Sequence, residues 1–396
     1  MPELINILVN LLGVSCLLLG LIQFKYMYIY LLLSFFFIGN IYIYGISLIC
    51  LLSINIIKNN GIIKTNNYIN LISIFWIISM ILSTIGNEIT LSMILQFIET
   101  FFYIILMFLI YDIFNRYDKS YDILKYLILG STILGIYNLI FINLDSKIIG
   151  INESSLVIVF FGILLPLLLY DKSTNYRWLI LVLLNLSLIV LLEARSATLI
   201  TILSIIIFFI HKLYCNKPRH ALIFTIAIFI FFYLNDYSRL FITQELLNKI
   251  AVQSTSTQER IAMLNYGIDV FWSKPINGYG VGSIEYLMSL SENLFSRHPH
   301  PHNNYIYLLM EYGILGLLLK FGFIYIIIRK NHKVGNIISR FKLLFLLSFL
   351  LLSLTNVIFY GASRMIPFCI LFAYTIYISQ NNSKKYMLYE YTAIKG

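Results

Sequence analysis

Apolar runs of about twenty residues recur from one end of this 396-residue chain to the other. That is the length a helix needs to cross a bilayer core, and no other feature narrows the fold as much. Backbone N–H and C=O groups in lipid must be satisfied within the segment, so such runs form helices rather than open strands. A membrane barrel would show short alternating segments instead. Composition agrees: the chain is 60% hydrophobic and 12% charged, about half the charge of a soluble domain. The expected fold is an all-α, polytopic membrane bundle of about twelve helices. The spans lie near 4–24, 28–57, 68–86, 89–111, 122–144, 154–170, 178–192, 197–213, 220–235, 304–328, 342–360 and 365–380. The second is long enough to tilt, or to break near Gly39-Asn40.

The formal net charge is +10. Its basic residues are dispersed among short loops rather than gathered in a stripe, which fits the positive-inside rule and not nucleic-acid binding. Lys58, Lys64, Arg116, Lys119, Lys172, Arg177, Lys212, Lys217, Arg219, Arg329, Lys330, Lys333, Arg340, Lys384 and Lys385 alternate consistently with the spans, so their loops are expected on the cytoplasmic side. The opposite side receives the turn at Glu193-Ala194-Arg195-Ser196, the stretch 236–303, and the turn at Gly361-Ala362-Ser363-Arg364. Three regions follow: membrane helices over 1–235, a large external loop over 236–303, and membrane helices with a cytoplasmic tail over 304–396. The N-terminus lacks the charged start and cleavage site of a signal peptide, so its first apolar run is expected to be retained. Cys16, Cys50, Cys215 and Cys369 all lie outside the long loop, so no external disulfide is expected, and no metal-type cysteine spacing is present.

A loop of about 68 residues is too long for a simple connector. Leu240, Leu246, Leu247 and Ile250 fall at helical spacing, and so do Ile261, Leu264, Ile268 and Phe271. These predict two helices, the second capped by Thr257. Pro275 and the run Asn277-Gly278-Tyr279-Gly280-Val281-Gly282 mark a tight turn, and a third short helix is expected within 283–296. The glycines are no phosphate loop, because strand–turn–helix context and a following Lys-Ser/Thr are both missing.

Half of the six histidines stand in one pentapeptide, His298-Pro299-His300-Pro301-His302. Each proline pushes the preceding residue to an extended conformation, which predicts a stiff approach to the next helix. Asn303 or Asn304 is the natural N-cap of that helix. His302 then stands at the positive helix end, which disfavours an imidazolium and holds the ring neutral. A neutral imidazole at a membrane surface can accept a proton from a sugar hydroxyl. Three other readings compete: exposed polar loop residues, a metal site built on the H-x-H spacing, and a pH sensor. The scarcity of cysteines and carboxylates nearby argues against metal. The loop also lacks a D-x-D pair, which argues against a divalent-metal nucleotide-sugar transferase.

The external arginines are Arg195, Arg239, Arg260, Arg297 and Arg364. Arg195 occupies a very short turn between apolar runs, where a charge is costly unless paired or functional. Pairing with Glu193 or snorkelling would explain it structurally. Functionally, it would clamp a diphosphate through bidentate charge-assisted hydrogen bonds. Arg260 lies on the polar side of a short amphipathic helix, where it is either solvated or a second clamp. Glu311 falls inside the tenth span, and an intramembrane carboxylate is by default functional or paired. It is expected to be a structural partner of an arginine or histidine rather than a catalytic acid.

At these residues the chain resembles the O-antigen ligase/polymerase superfamily of bacterial membrane proteins. Arg195-Ser196-Ala197 is similar to that family's short arginine turn. Pro275-Ile276-Asn277-Gly278-Tyr279-Gly280 resembles its Pro-x-x-G-x-G turn. His302-Asn303 before Glu311-Tyr312-Gly313-Ile314-Leu315-Gly316 resembles its His-Asn and Glu-x-G-x-x-G stretch. The informative part is roughly 190–320. The resemblance implies transfer of a glycan from an undecaprenyl-diphosphate carrier without metal, nucleotide or other cofactor, in the bacterial inner membrane with the active face outside. It implies that Arg195 and Arg260 bind the diphosphate and that His302 activates the acceptor hydroxyl. Three histidines stand where the family has one, so His300 shares the candidacy for the base. Glu311, Asn303, Gly278 and Gly280 are expected to support the site. The expected partners are the lipid-linked oligosaccharide, membrane lipid and a chain-length regulator, with no nucleic acid. Two related activities fit, a polymerase adding to a lipid-linked repeat unit with inversion and a ligase transferring to lipid A–core. A flippase for the same lipid-linked sugars is the third reading, and inverted repeats with midplane charges would be its mark.

Overall fold

The computed structural model describes residues 65–116, 128–136 apart from 134, the helical positions 184 and 188, 244–290, 301–329, 337–359 and 362–380. Among the described residues all regular structure is helical. The helices are α1 (Asn67–Thr84), α2 (Leu91–Arg116), α3 (Gln244–Ser273), α4 (Ile284–Ser289), α5 (Asn304–Lys320), α6 (Gly322–Arg329), α7 (Ile337–Thr355) and α8 (Ala362–Gln380), with a helical piece over 128–136. Among the described residues, three stretches are long and apolar enough to cross a membrane: Asn67–Thr84, Leu91–Asn115 and Asn304–Ile328. The remaining predicted spans, and so the count of about twelve, fall largely outside the described residues.

Residue distribution explains why these helices suit lipid. On α1, Ile74, Ile78 and Ile81 are exposed at helical spacing, and Leu91, Ile94, Ile98 and Phe101 do the same on α2. The opposite face of α1 buries Trp76 and Met80 together with Ser73, Ser79 and Ser83. Each of these hydroxyls donates to a carbonyl three or four residues earlier, so no polar group is left unsatisfied against the core. Apolar outside with small polar groups inside is the arrangement a bilayer allows. α1 packs against α5, and α2 packs against α8 through Phe114 and Tyr374, whose rings lie 5.2 Å apart. Asn66 caps α1 by accepting from Tyr68 N–H and donates to the Tyr111 hydroxyl of α2 at 3.0 Å.

Three expectations change. The two helices predicted across 240–271 are one continuous 30-residue helix, with Thr257 inside it rather than capping a second start. No glycine or proline stands between residues 250 and 261, so nothing breaks the backbone hydrogen-bond ladder there. The tenth span is α5 followed by α6, and α5 is itself interrupted at Gly313, where φ is +62° and ψ −168°. The third short helix of the loop is α4, shorter than the stretch allotted to it.

Candidate active site

The interruption at Gly313 is filled by the loop. In an unbroken helix Ile314 N–H would bond Met310 C=O, and Leu315 N–H would bond Glu311 C=O. Here Met310 O accepts from Tyr279 N at 2.9 Å and Glu311 O from Gly280 N at 2.9 Å. On the other side of the break, Ile314 N donates to Pro275 O at 2.9 Å and Leu315 N to Ile276 O at 3.3 Å. Residues 275–280 are thus inserted into the helix, and these four backbone groups released by the break are paired, as an apolar surrounding demands. Glycine is needed on both sides of the contact. Gly278 has φ +67°, and a Cβ there would sit 2.5 Å from the Glu311 carbonyl carbon; a Cβ on Gly313 would meet Ile276 carbon at 2.4 Å.

Glu311 completes the lock. Its side chain is fully buried, and Oε1 accepts from Gly282 N at 3.0 Å and Ile284 N at 3.1 Å. Among the described residues its hydrogen-bond partners are these two backbone amides at the start of α4 and the Tyr307 hydroxyl, rather than the expected arginine or histidine. Asn87, in the turn between α1 and α2, donates to Ser83 O at 2.7 Å and Gly278 O at 3.1 Å, and accepts from Lys274 Nζ at 2.6 Å. Asn277 Nδ2 donates to Ile85 O at 2.5 Å. Tyr266 of α3 donates to Leu287 O at 2.6 Å. Burial, and next the neighbouring Tyr279, push its hydroxyl above the usual tyrosine range.

The start of α5 is fixed equally tightly. Asn303 is the N-cap: its Oδ1 accepts from Tyr305 N at 2.9 Å and Ile306 N at 3.1 Å. Asn304, fully buried, accepts from Ile358 N at 3.0 Å and Phe359 N at 3.1 Å, tying α5 to the turn after α7. His302 immediately precedes the cap, partly exposed, with a left-handed φ of +46°. The straight extended approach predicted from the prolines thus ends in a bend. The tight cap geometry, in which two amides converge on one side chain, turns the chain there.

α3 and α5 run side by side in the same sense. Gly267 is the point of closest approach, where a Cβ would lie 2.2 Å from Ile306 Cγ2 and 3.1 Å from Met310 Sδ, and Pro275 meets Ile314 further along. Arg260 stands two turns before Gly267, which puts it towards the end of α5 where His302 stands, with its side chain exposed. Arg195, His298, His300 and Arg297 lie outside the described residues. Arg364, in the first turn of α8, donates from Nη1 to Val357 O at 2.7 Å, the turn that Asn304 also holds. Gly278 and Gly280 are parts of the interlock, and Asn303 caps α5.

Two residues escaped the sequence reading. Asn87 gave no signal, being one asparagine in a short turn. Lys320 gave one: it is a cation inside an apolar run of spanning length, which marks it for attention. It is almost fully buried, and its ammonium lies 4.9 Å from the Tyr312 ring, 5.1 Å from Trp76 and 5.8 Å from Phe359. Three ring faces within cation–π range stand in for water around the charge.

The geometry defines a helical membrane protein in which a loop is hydrogen-bonded into the break of a spanning helix. Residues 179–321 match the family model described as O-antigen ligase, and Arg195, Arg260, the Pro275–Gly280 turn, His302 and Glu311 all fall within that match. Over this stretch the chain is similar to the O-antigen ligase family. A similar protein is a putative polysaccharide ligase of Rickettsia conorii (strain ATCC VR-613 / Malish 7), 28% identical over 101 residues. The alignment spans 24% of this chain and 25% of that protein.

Proposed function

We propose that the protein is a glycosyltransferase of the polymerase type. The donor is a glycan chain on undecaprenyl diphosphate, and the acceptor is the non-reducing-end hydroxyl of a lipid-linked repeat unit. His302 takes the proton from that hydroxyl, whose oxygen attacks the anomeric carbon as the bond to the diphosphate breaks. The leaving diphosphate departs with its electron pair, and Arg195 and Arg260 offset its charge. Direct displacement inverts the anomeric centre and needs no metal. Undecaprenyl diphosphate is released, and the lengthened glycan stays on the acceptor's carrier. The active face is the outer face of a bacterial inner membrane, as the distribution of lysine and arginine over the loops indicates.

The observation that carries this reading is the insertion of residues 275–280 into α5. It joins the helix bearing Arg260 to the helix that His302 precedes, so a base and a guanidinium are held on rigid elements rather than on independent loops. Such pre-positioning is what a transfer between two lipid-anchored substrates requires. The test is cellular. His302→Ala and Arg260→Ala should leave protein levels intact and yield only single repeat units, with the base contributing roughly 10²–10⁴-fold. Long-chain glycan from both variants would end the assignment.

A ligase is the second reading, favoured by the names of the matched family, O-antigen ligase, and of the relative, a putative polysaccharide ligase. It uses the same donor site and takes lipid A–core as acceptor. A deletion strain separates the two: loss of a polymerase leaves core capped with one unit, and loss of a ligase leaves core uncapped. Intermediates stranded on the cytoplasmic side would point instead to a flippase.

A further inference from the structure

The C-terminal half of α3 carries three different flanks. Met263 and Gly267 face α5 and are buried. At 3.6 residues per turn, Asn265, Asp269 and Ser273 share a second flank, all exposed and polar. Ile261, Leu264, Ile268 and Trp272 share the third. On it Leu264 and Ile268 are half-buried, while Ile261 is 55% and Trp272 69% exposed. Ile276 continues this apolar flank beyond the helix and is 61% exposed.

Its position relative to the spans says what covers it. Ile276 O is bonded to Leu315 N, eleven residues into a stretch of spanning length that starts at Asn304. The neighbouring Asn277 is bonded to Ile85 O, one residue past the end of α1. Leu315 and Leu318 on α5, and Ile81 and Ile85 at the end of α1, are themselves exposed and apolar. The flank therefore runs without a step into the surfaces that the spans present to lipid. Lys274, the one cation of this stretch, is turned away to Asn87 and lies over the Tyr279 ring at 4.8 Å.

We infer that the Trp272–Ile276 end of this flank is seated in one leaflet of the bilayer, with Trp272 as the interfacial anchor and the Asn265–Asp269–Ser273 flank turned to water. An indole suits the headgroup boundary, being apolar in body with one N–H donor. The occupant of this face is bilayer lipid. Seating α3 there holds the loop at the depth of the membrane boundary independently of any substrate, so the inference stands whether or not the proposed reaction is correct.

The test uses the full chain in lipid nanodiscs. Tryptophan emission of the wild type minus that of Trp272→Phe isolates Trp272 from Trp76 and Trp178, and equal melting of the two proteins checks that the fold is kept. In discs whose phosphatidylcholine carries bromine high on the acyl chains, this difference emission should be lost. Dissolved iodide should spare it, and its maximum should be blue-shifted from that of a hydrated indole. A probe moved to the polar flank, Asn265→Trp in the Trp272→Phe background, should behave oppositely. Difference emission quenched by iodide and untouched by bromine would place Trp272 in water and overturn the inference. Emission spared by both quenchers would show another segment or a second copy covering the face, and would overturn it equally.

Discussion

Replacing Gly278 with alanine tests the insertion of the loop into α5, and Gly86 supplies a matched control. Both glycines have left-handed backbones, φ +67° at Gly278 and +74° at Gly86. A Cβ on Gly86 has nothing within 4 Å, whereas one on Gly278 lies 2.5 Å from Glu311 carbon and 2.6 Å from Gly313 nitrogen. Those neighbours are backbone atoms and cannot rotate aside. Gly86→Ala should therefore cost only the left-handed strain, about 1–2 kcal/mol. Gly278→Ala should cost the same strain plus the four inter-segment hydrogen bonds at about 1 kcal/mol each, or about 5–6 kcal/mol in all. At roughly 2–4 °C per kcal/mol, apparent Tm should fall by roughly 10–20 °C for Gly278→Ala and by a few degrees for Gly86→Ala. Intrinsic-fluorescence melts of both variants in the same detergent give the comparison. Equal small drops would mean that the loop tolerates displacement from α5, and the reasoning would fail.

Other perturbations probe the same assembly. Glu311→Gln keeps an acceptor for Gly282 and Ile284 N–H and should be tolerated better than Glu311→Leu, which strands two buried amides at about 1–3 kcal/mol each; proteolysis of the 275–290 segment in membranes reads the difference. Asn304→Leu strands Ile358 and Phe359 N–H in the same way and should lower Tm more than Asn303→Ala, whose lost cap costs about 1 kcal/mol. Because the folded state raises the Tyr266 hydroxyl above its unfolded value, the stability it contributes is fully present below pH about 10 and is lost as pH rises through the higher folded value. A stability–pH profile of Tyr266→Phe should therefore lack part of the alkaline decline, and an unchanged decline would remove Tyr266 as its source.

The parts legible in the sequence are those fixed by local chemistry. α1, α2, α5 and α8 begin or end within a few residues of the predicted spans because hydropathy and caps act over one turn, and Asn303 was readable as a cap for the same reason. The glycines at 278 and 280 were visible as turn formers, but nothing local says that their turn fills a break at Gly313 inside the tenth span, since that pairing is made by backbone groups over thirty residues apart. The same holds for Glu311: its burial was legible, and its partners were not, because amides carry no sequence signature. The helix over 244–273 was misdivided because Thr257 looks like a cap, although no breaker precedes it. The histidine run was legible as unusual chemistry, while the bend at His302 depends on the cap geometry that follows.

The central claim is that glycan moves from a lipid diphosphate to a hydroxyl at the His302 end of α5. The direct measurement is reconstitution of the purified protein in nanodiscs with an undecaprenyl-diphosphate-linked repeat unit, following glycan length and released carrier together. Lengthened glycan, one released undecaprenyl diphosphate per unit added, and loss of both in folded His302→Ala and Arg260→Ala are predicted. Carrier and glycan left unchanged by the folded wild-type protein, with lipid A–core supplied or not, would contradict the account.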